Sequence, residues 1–179
     1  MNPELDNLDL EFALQGAPSV RVTTEGFVIG TAAPASALRG TVQAWSLVRK
    51  YFRDRKLVCW STDGIRGQAG KRCESCSDRG RCSPRIRLAI GPAAETLGGA
   101  RDVAAHGGSL LTLELSYSSC RNFLDYARRI RATDGQLSRV PTRLTILPRG
   151  HWGEVCFEVD ADLFHASDPL PGPDPSAPA

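Results

Sequence analysis

Four cysteines in a polar stretch set the terms for this chain. Between positions 59 and 82 it reads CWSTDGIRGQAGKRCESCSDRGRC, a spacing of C-x13-C-x2-C-x5-C. The intervening glycine, serine, arginine and aspartate residues cannot fold by burying apolar surface, so some other tie must order the segment. A C-x2-C step lets two sulfurs from one tight turn occupy neighbouring corners of a tetrahedron, while the flanking chain brings the other two. Cys59, Cys73, Cys76 and Cys82 are therefore candidate ligands of a structural zinc ion. Four sulfurs leave no open position for water or substrate, which argues against metal catalysis. Two disulfides, a redox-active pair of Cys73 and Cys76, and three-thiolate binding completed by His106 or Cys120 are the alternatives.

The compartment matters to that choice. The N-terminus MNPELDNLDLEF is acidic, without the basic and then apolar pattern of a secretory signal, and no run approaches the roughly 20 apolar residues that cross a bilayer. A cytoplasmic protein with no membrane partner is expected, and a reducing compartment favours metal over disulfides. With 179 residues, 41% apolar and 23% charged, the chain is long enough for one globular domain. Collagen, coiled coil and full disorder are excluded.

Net charge is only +2, but it is unevenly placed. Residues 1–20 hold four acids and no base, and residues 21–60 hold seven bases against two acids. Residues 61–90 have seven bases against three acids, and residues 151–179 have six acids and no base. A basic middle lies between acidic ends. Of the 22 bases only Lys50, Lys56 and Lys71 are lysine, and arginine's planar fork suits phosphate and stacking contacts.

Alternation of apolar and polar residues predicts a hairpin from RLTIL (143–147) and GEVCFEVD (153–160), joined by PRGHWG. Further strands are expected in SVRVTTEGFVIG from Ser19, TVQAWSLVRKYF from Thr41, RIRLAI from Arg85, SLLTLELS from Ser109, and around positions 8–14. Cys120, Phe123, Leu124, Ala127 and Ile130 recur at helical spacing, with Ser118 or Ser119 as N-cap and Gly135 just past the end. TAAPASALRG and GPAAETLGGARDVAAHGG read as loops. Six or seven strands and one helix give a mainly β, α+β chain, and a small antiparallel barrel is the economical architecture because closure removes sheet edges. Residues 1–165 are expected to form one domain containing the 59–82 insertion. Residues 166–179, with five prolines, are expected to be a disordered tail.

No enzyme motif emerges. The chain lacks GxxxxGK[ST], GxGxxG, HExxH and GxSxG, and no His-x-Glu accompanies the CxxC as a zinc deaminase would require. His106, His151 and His165 are scattered, and no carboxylate pair suits acid and base work.

At VCWSTDG, CESC and Cys82, followed by LLTLELSYSSCRNFLDYARRI, VPTRLTI and GEVCFEV, the sequence resembles a family of small single-stranded DNA-binding proteins from bacteriophages, prophages and integrative elements. The resemblance covers roughly residues 20–160. It implies an OB-like barrel with a zinc-bearing insertion ligated by Cys59, Cys73, Cys76 and Cys82, and a place in phage or mobile-element replication and recombination. One departure is the short SDRGR segment after Cys76, which lacks the apolar and aromatic residues of that family.

Single-strand binders combine a basic groove with aromatic platforms. Trp45, Arg49, Lys50, Tyr51, Arg53, Arg55, Lys56 and Trp60 form the densest mixture of rings and cations here. Tyr51, Trp60 and Trp45 are expected to stack on bases, and the five cations to hold phosphates. Arg66, Lys71, Arg72, Arg79 and Arg81 extend the track along the cysteine segment. Asp160, Asp162, Asp168 and Asp174 form a mildly acidic C-terminal stretch that could compete for the groove or recruit a replication or recombination partner. A homo-oligomer is compatible with the sequence. Two other readings stand beside this one: a zinc-stapled protein-interaction module docking an acidic partner, and a duplex-DNA regulator using Arg121 and Asn122 at a helix start.

Overall fold

Leu111, Leu113 and Leu115 are completely buried, whereas Thr112 and Glu114 between them face the other way. This two-residue period is that of a strand with one dry face, and it sets the plan of the whole sheet. The computed structural model describes residues 16–68, 70–91, 110–133 and 135–164. The strands are β1 (Ser19–Val22), β2 (Phe27–Ile29), β3 (Ala37–Arg53), β4 (Lys56–Ser61), β5 (Ser83–Gly91), β6 (Leu111–Leu115), β7 (Thr142–Arg149) and β8 (Trp152–Val159). Helix α1 (Tyr117–Ala132) follows β6, and the short α2 (Ala161–Phe164) follows β8. The expected strand around positions 8–14, the loop over 92–108 and the tail 166–179 lie outside the described residues, as do His106 and His165. Among the described residues no helix is long and apolar enough to cross a membrane.

The protein is mainly β with one long helix. Its sheet runs β2-β1-β6-β5-β3-β7-β8, with β4 added to β3. Ile86, Leu88 and Ile90 of β5 stand opposite Leu115, Leu113 and Leu111 of β6, and all six are buried. Helix α1 closes this face with Phe123, Tyr126, Ala127 and Ile130, the i, i+3, i+4, i+7 stripe that a helix buries. Phe123 packs edge-on against Phe157 of β8, with ring centroids 5.4 Å apart, and Tyr126 donates or accepts a 2.7 Å bond with Thr142. Ser116 rather than Ser118 or Ser119 is the N-cap. Ser119 is drawn inward instead, where its hydroxyl accepts the Val155 N–H at 2.9 Å. Gly135 lies just past the helix end as expected, its N–H on the Ile130 carbonyl.

Three expectations need correcting. The sheet is mixed, because β1 pairs parallel to β6, and among the described residues no ladder closes it into a barrel. Its ends meet by packing: a Cβ on Gly153 of β8 would lie 2.5 Å from the Thr23 carbonyl oxygen beyond β1. The stretch from Ser19 is two strands, since Thr23 and Gly26 close a tight turn between them. The loop read over 31–40 ends early, because β3 already begins at Ala37, where it pairs with β7 through Gly40 and then with β5 from Thr41, with an irregularity in that second ladder between Val42 and Ala44. A β-bulge of this kind bends a strand and increases its local twist.

Candidate functional site

Past that bulge, β3 alternates cleanly. Trp45, Leu47, Arg49 and Tyr51 share one face, being opposite Leu88, Ile86, Pro84 and Cys59. Ser46, Val48 and Lys50 share the other, opposite Arg87, Arg85 and both Ser83 and Trp60. Cross-strand partners lie on the same side of a sheet, so the sequence cluster of rings and cations is divided between two surfaces.

The first surface carries the cysteine segment. β4 was not expected from the sequence; it returns from a two-residue turn in which Asp54 and Arg55 both have positive φ, at 50° and 64°, the twist that suits tight hairpins. It presents Cys59 beside Tyr51. The chain then turns at the S-T-D-G motif. One oxygen of Asp63 accepts the Ser61 hydroxyl at 2.8 Å, the Ile65 N–H at 2.7 Å and the Arg66 N–H at 2.9 Å. Although burial acts against it, these bonds hold the Asp63 carboxyl below the usual aspartate range. Gly64, at φ 71°, presses on Leu47, leaving only 3.2 Å for a Cβ.

Further on, Gly67 donates to the Lys71 carbonyl and Cys73 to that of Ile65. Two single 3-10 turns follow, Cys73–Ser75 and Arg79–Arg81, and each hands the chain to a cysteine in extended conformation, Cys76 and Cys82. Cys59, Cys73, Cys76 and Cys82 all line one partly open cavity of about 70 Å³, with Arg49, Trp60, Lys71 and Arg79 around it. A Cβ on Gly67 would stand 3.1 Å from the Cys59 sulfur, so that glycine lets the loop close over the thiol. All six cysteines are free thiols. Burial pushes the Cys82 thiol up, and negative charge on Cys76, Cys59 and Cys73 pushes the same way against Arg49. Among the described residues no three His, Cys, Asp or Glu side chains are drawn up into a closed ligating set. The donors sharing the cavity are nonetheless all sulfur, the set that suits tetrahedral zinc.

The second surface holds Trp60, 39% exposed, next to Lys50, with Arg85 and Arg87 beyond. Lys50 Nζ lies 2.5 Å from Glu114, which also approaches Arg85 at 3.5 Å. At the tip, Phe52, Leu57 and Val58 are exposed among Arg53, Arg55 and Lys56.

Several expected contacts are thereby relocated. Tyr51 is 6% exposed; its hydroxyl takes the Arg53 guanidinium, and Arg53 and Arg81 hold it below the ordinary phenol range. It offers no free face for stacking. Trp45 sits edge-on against Phe123, centroids 5.8 Å apart, on the opposite side of β3 from Trp60. Arg49, Lys71 and Arg79 border the thiols, while Arg66 and Arg72 are exposed and bridge each other across the loop. Arg81 leans on Asp78 at 3.5 Å. Arg85, Arg87 and Glu114 were missed, although alternation in RIRLAI and LTLEL puts them opposite the apolar residues of those strands.

The remaining candidates are engaged elsewhere. Cys120 and Cys156 are partly buried away from the cavity, and burial raises both thiols. Asn122 donates to Glu154 at 3.0 Å and to the Val155 carbonyl at 2.9 Å, so it is not free to read a base. Arg39 forks between Asp160 and Asp162, at 3.0 and 3.1 Å, which removes two of the four acids expected to form a competing stretch. No family model, curated protein or solved structure matches this chain.

Proposed function

We propose that this protein binds single-stranded nucleic acid, with single-stranded DNA of a phage or mobile-element replication or recombination system as the substrate, and that it does so without enzymatic activity. The sheet serves as an OB-like platform, and Cys59, Cys73, Cys76 and Cys82 hold a structural zinc ion that stiffens the lobe beside it. The observation that carries this reading is the cross-strand neighbourhood of Trp60 and Lys50, continued on the same side by Arg85 and Arg87 on β5. An indole beside a row of cations is what sequence-tolerant single-strand binding requires, with about 1–3 kcal/mol for each stacked base. The thiol cavity supports the metal assignment, because four thiols and no carboxylate line it.

Metal content and oligonucleotide affinity test the reading together. Purified protein is expected to hold one zinc per chain and to bind a labelled single strand with affinity that falls steeply with salt, about 0.7 in log-log slope for each phosphate contacted. Chelation should open the lobe and weaken binding in part. Salt-independent affinity, or equal preference for an acidic peptide, rejects the proposal. Phe52, Leu57 and Val58, exposed on a cationic tip, favour the acidic-partner module as second reading. The engaged amide of Asn122 leaves the duplex regulator third.

A further inference from the structure

Arg49 sits in the middle of the basic stretch, yet it does not share a surface with Lys50. Its place on β3, opposite Ser61 and Pro84, turns it toward the thiol cavity that it helps to line. Its Nε is closed off from solvent and has no hydrogen-bond partner. The other cations of the cavity, Lys71 and Arg79, belong to the cysteine excursion itself. Arg49 alone of the three comes from the sheet.

A donor shut away from water without an acceptor is unfavourable, and native proteins seldom keep one without a purpose. The Ser61 hydroxyl is already engaged with Asp63. The side-chain acceptors left among the lining residues are the sulfurs. A neutral thiol accepts weakly, whereas a metal-bound thiolate accepts well, above all from a guanidinium. Zinc held by four thiolates also carries surplus negative charge, which a fixed cation beneath it offsets.

We infer that Arg49 is a positioning residue of the metal centre and not a phosphate contact: it is held under the four cysteines to receive the charge of the zinc-loaded site and to tie that lobe to the sheet. This rests on the zinc assignment proposed above. Arg49 then acts through the thiolates, raising metal affinity by orienting and neutralising them, as residues behind metal ligands do.

The full-length protein and its Arg49→Gln, Arg49→Lys and Arg55→Gln variants are titrated with zinc against a chromophoric chelator, and their cobalt-substituted forms are compared by absorption. Arg49→Gln should lose about 10–100-fold in zinc affinity and shift the sulfur-to-cobalt charge-transfer band. Arg49→Lys, which keeps the charge but not the fork, should recover part of the affinity and retain a band shift even if the glutamine variant folds poorly. Arg55→Gln, equal in charge but at the hairpin tip, should leave both readouts unchanged. Wild-type affinity and an unshifted band in both Arg49 variants overturn the inference while the zinc assignment stands. A wild-type protein that binds neither metal overturns the assignment and this inference with it.

Discussion

The carboxylate of Glu114 reaches across from β6 to hold the ammonium of Lys50 on β3 at 2.5 Å, spanning the intervening strand β5. The same carboxylate stands 3.5 Å from Arg85, so one acid occupies two of the cations assigned to phosphates. Binding a strand there must pull Lys50 and Arg85 off Glu114. Glu114→Gln should therefore tighten single-strand affinity several-fold and steepen its salt dependence by about 0.7 in log-log slope, one added phosphate contact. Fluorescence anisotropy at two salt concentrations measures both, and weaker binding by this variant counts against the face.

Trp60 and Tyr51 separate the two surfaces. Trp60→Ala is expected to reduce oligonucleotide affinity by about 1–3 kcal/mol. Tyr51→Phe should leave affinity where it was, since its ring is covered and its hydroxyl faces Arg53. Equal losses in the two variants point to a strand path over the cysteine lobe instead.

How much of this was legible in the sequence varies with the range of the interaction concerned. The β7–β8 hairpin and α1 were plain, because alternation over 143–159 and the Phe123, Ala127, Ile130 stripe are local patterns that packing reinforces. The strand β4 was hidden, since Lys56, Leu57, Val58, Cys59 and Trp60 do not alternate and a bulge at Tyr51 and Phe52 breaks their register. Parallel pairing of β1 with β6 joins residues some ninety positions apart, beyond any local signal. The four cysteines that line one cavity were grouped by their spacing. Its cations were not sorted correctly, because composition groups Arg49 with Lys50 whereas a strand sends neighbours to opposite sides.

Acid should loosen the cysteine lobe ahead of the sheet. Bonding to Ser61, Ile65 and Arg66 leaves Asp63 with a lower pKa folded than unfolded, so its contribution is present above the unfolded value and lost as pH falls through the folded one. The window lies below about pH 4. In metal-free protein, hydrogen exchange at the Ile65 and Arg66 amides should rise there before the β5 and β6 amides respond. Asp63→Ala should produce the same local opening at neutral pH, at about 1–3 kcal/mol for the acceptor removed. Protection that is insensitive to both changes contradicts this role.

Ser119 provides a stability test remote from either surface. Its buried hydroxyl is the acceptor for the Val155 N–H at 2.9 Å, and truncation leaves that amide without a partner. Ser119→Ala is expected to cost about 1–3 kcal/mol in denaturant unfolding, with oligonucleotide affinity of the folded fraction unaltered. A neutral result means the helix and β8 shift to heal the gap.

Strand β3 is bonded to β7 at its start, to β5 along its middle and to β4 at its end. One uninterrupted backbone thus threads three neighbourhoods, and Arg49 and Lys50 near the thiols are paired on both sides, to β4 and to β5, so the cysteine lobe is anchored to the middle of the sheet and not to its edge.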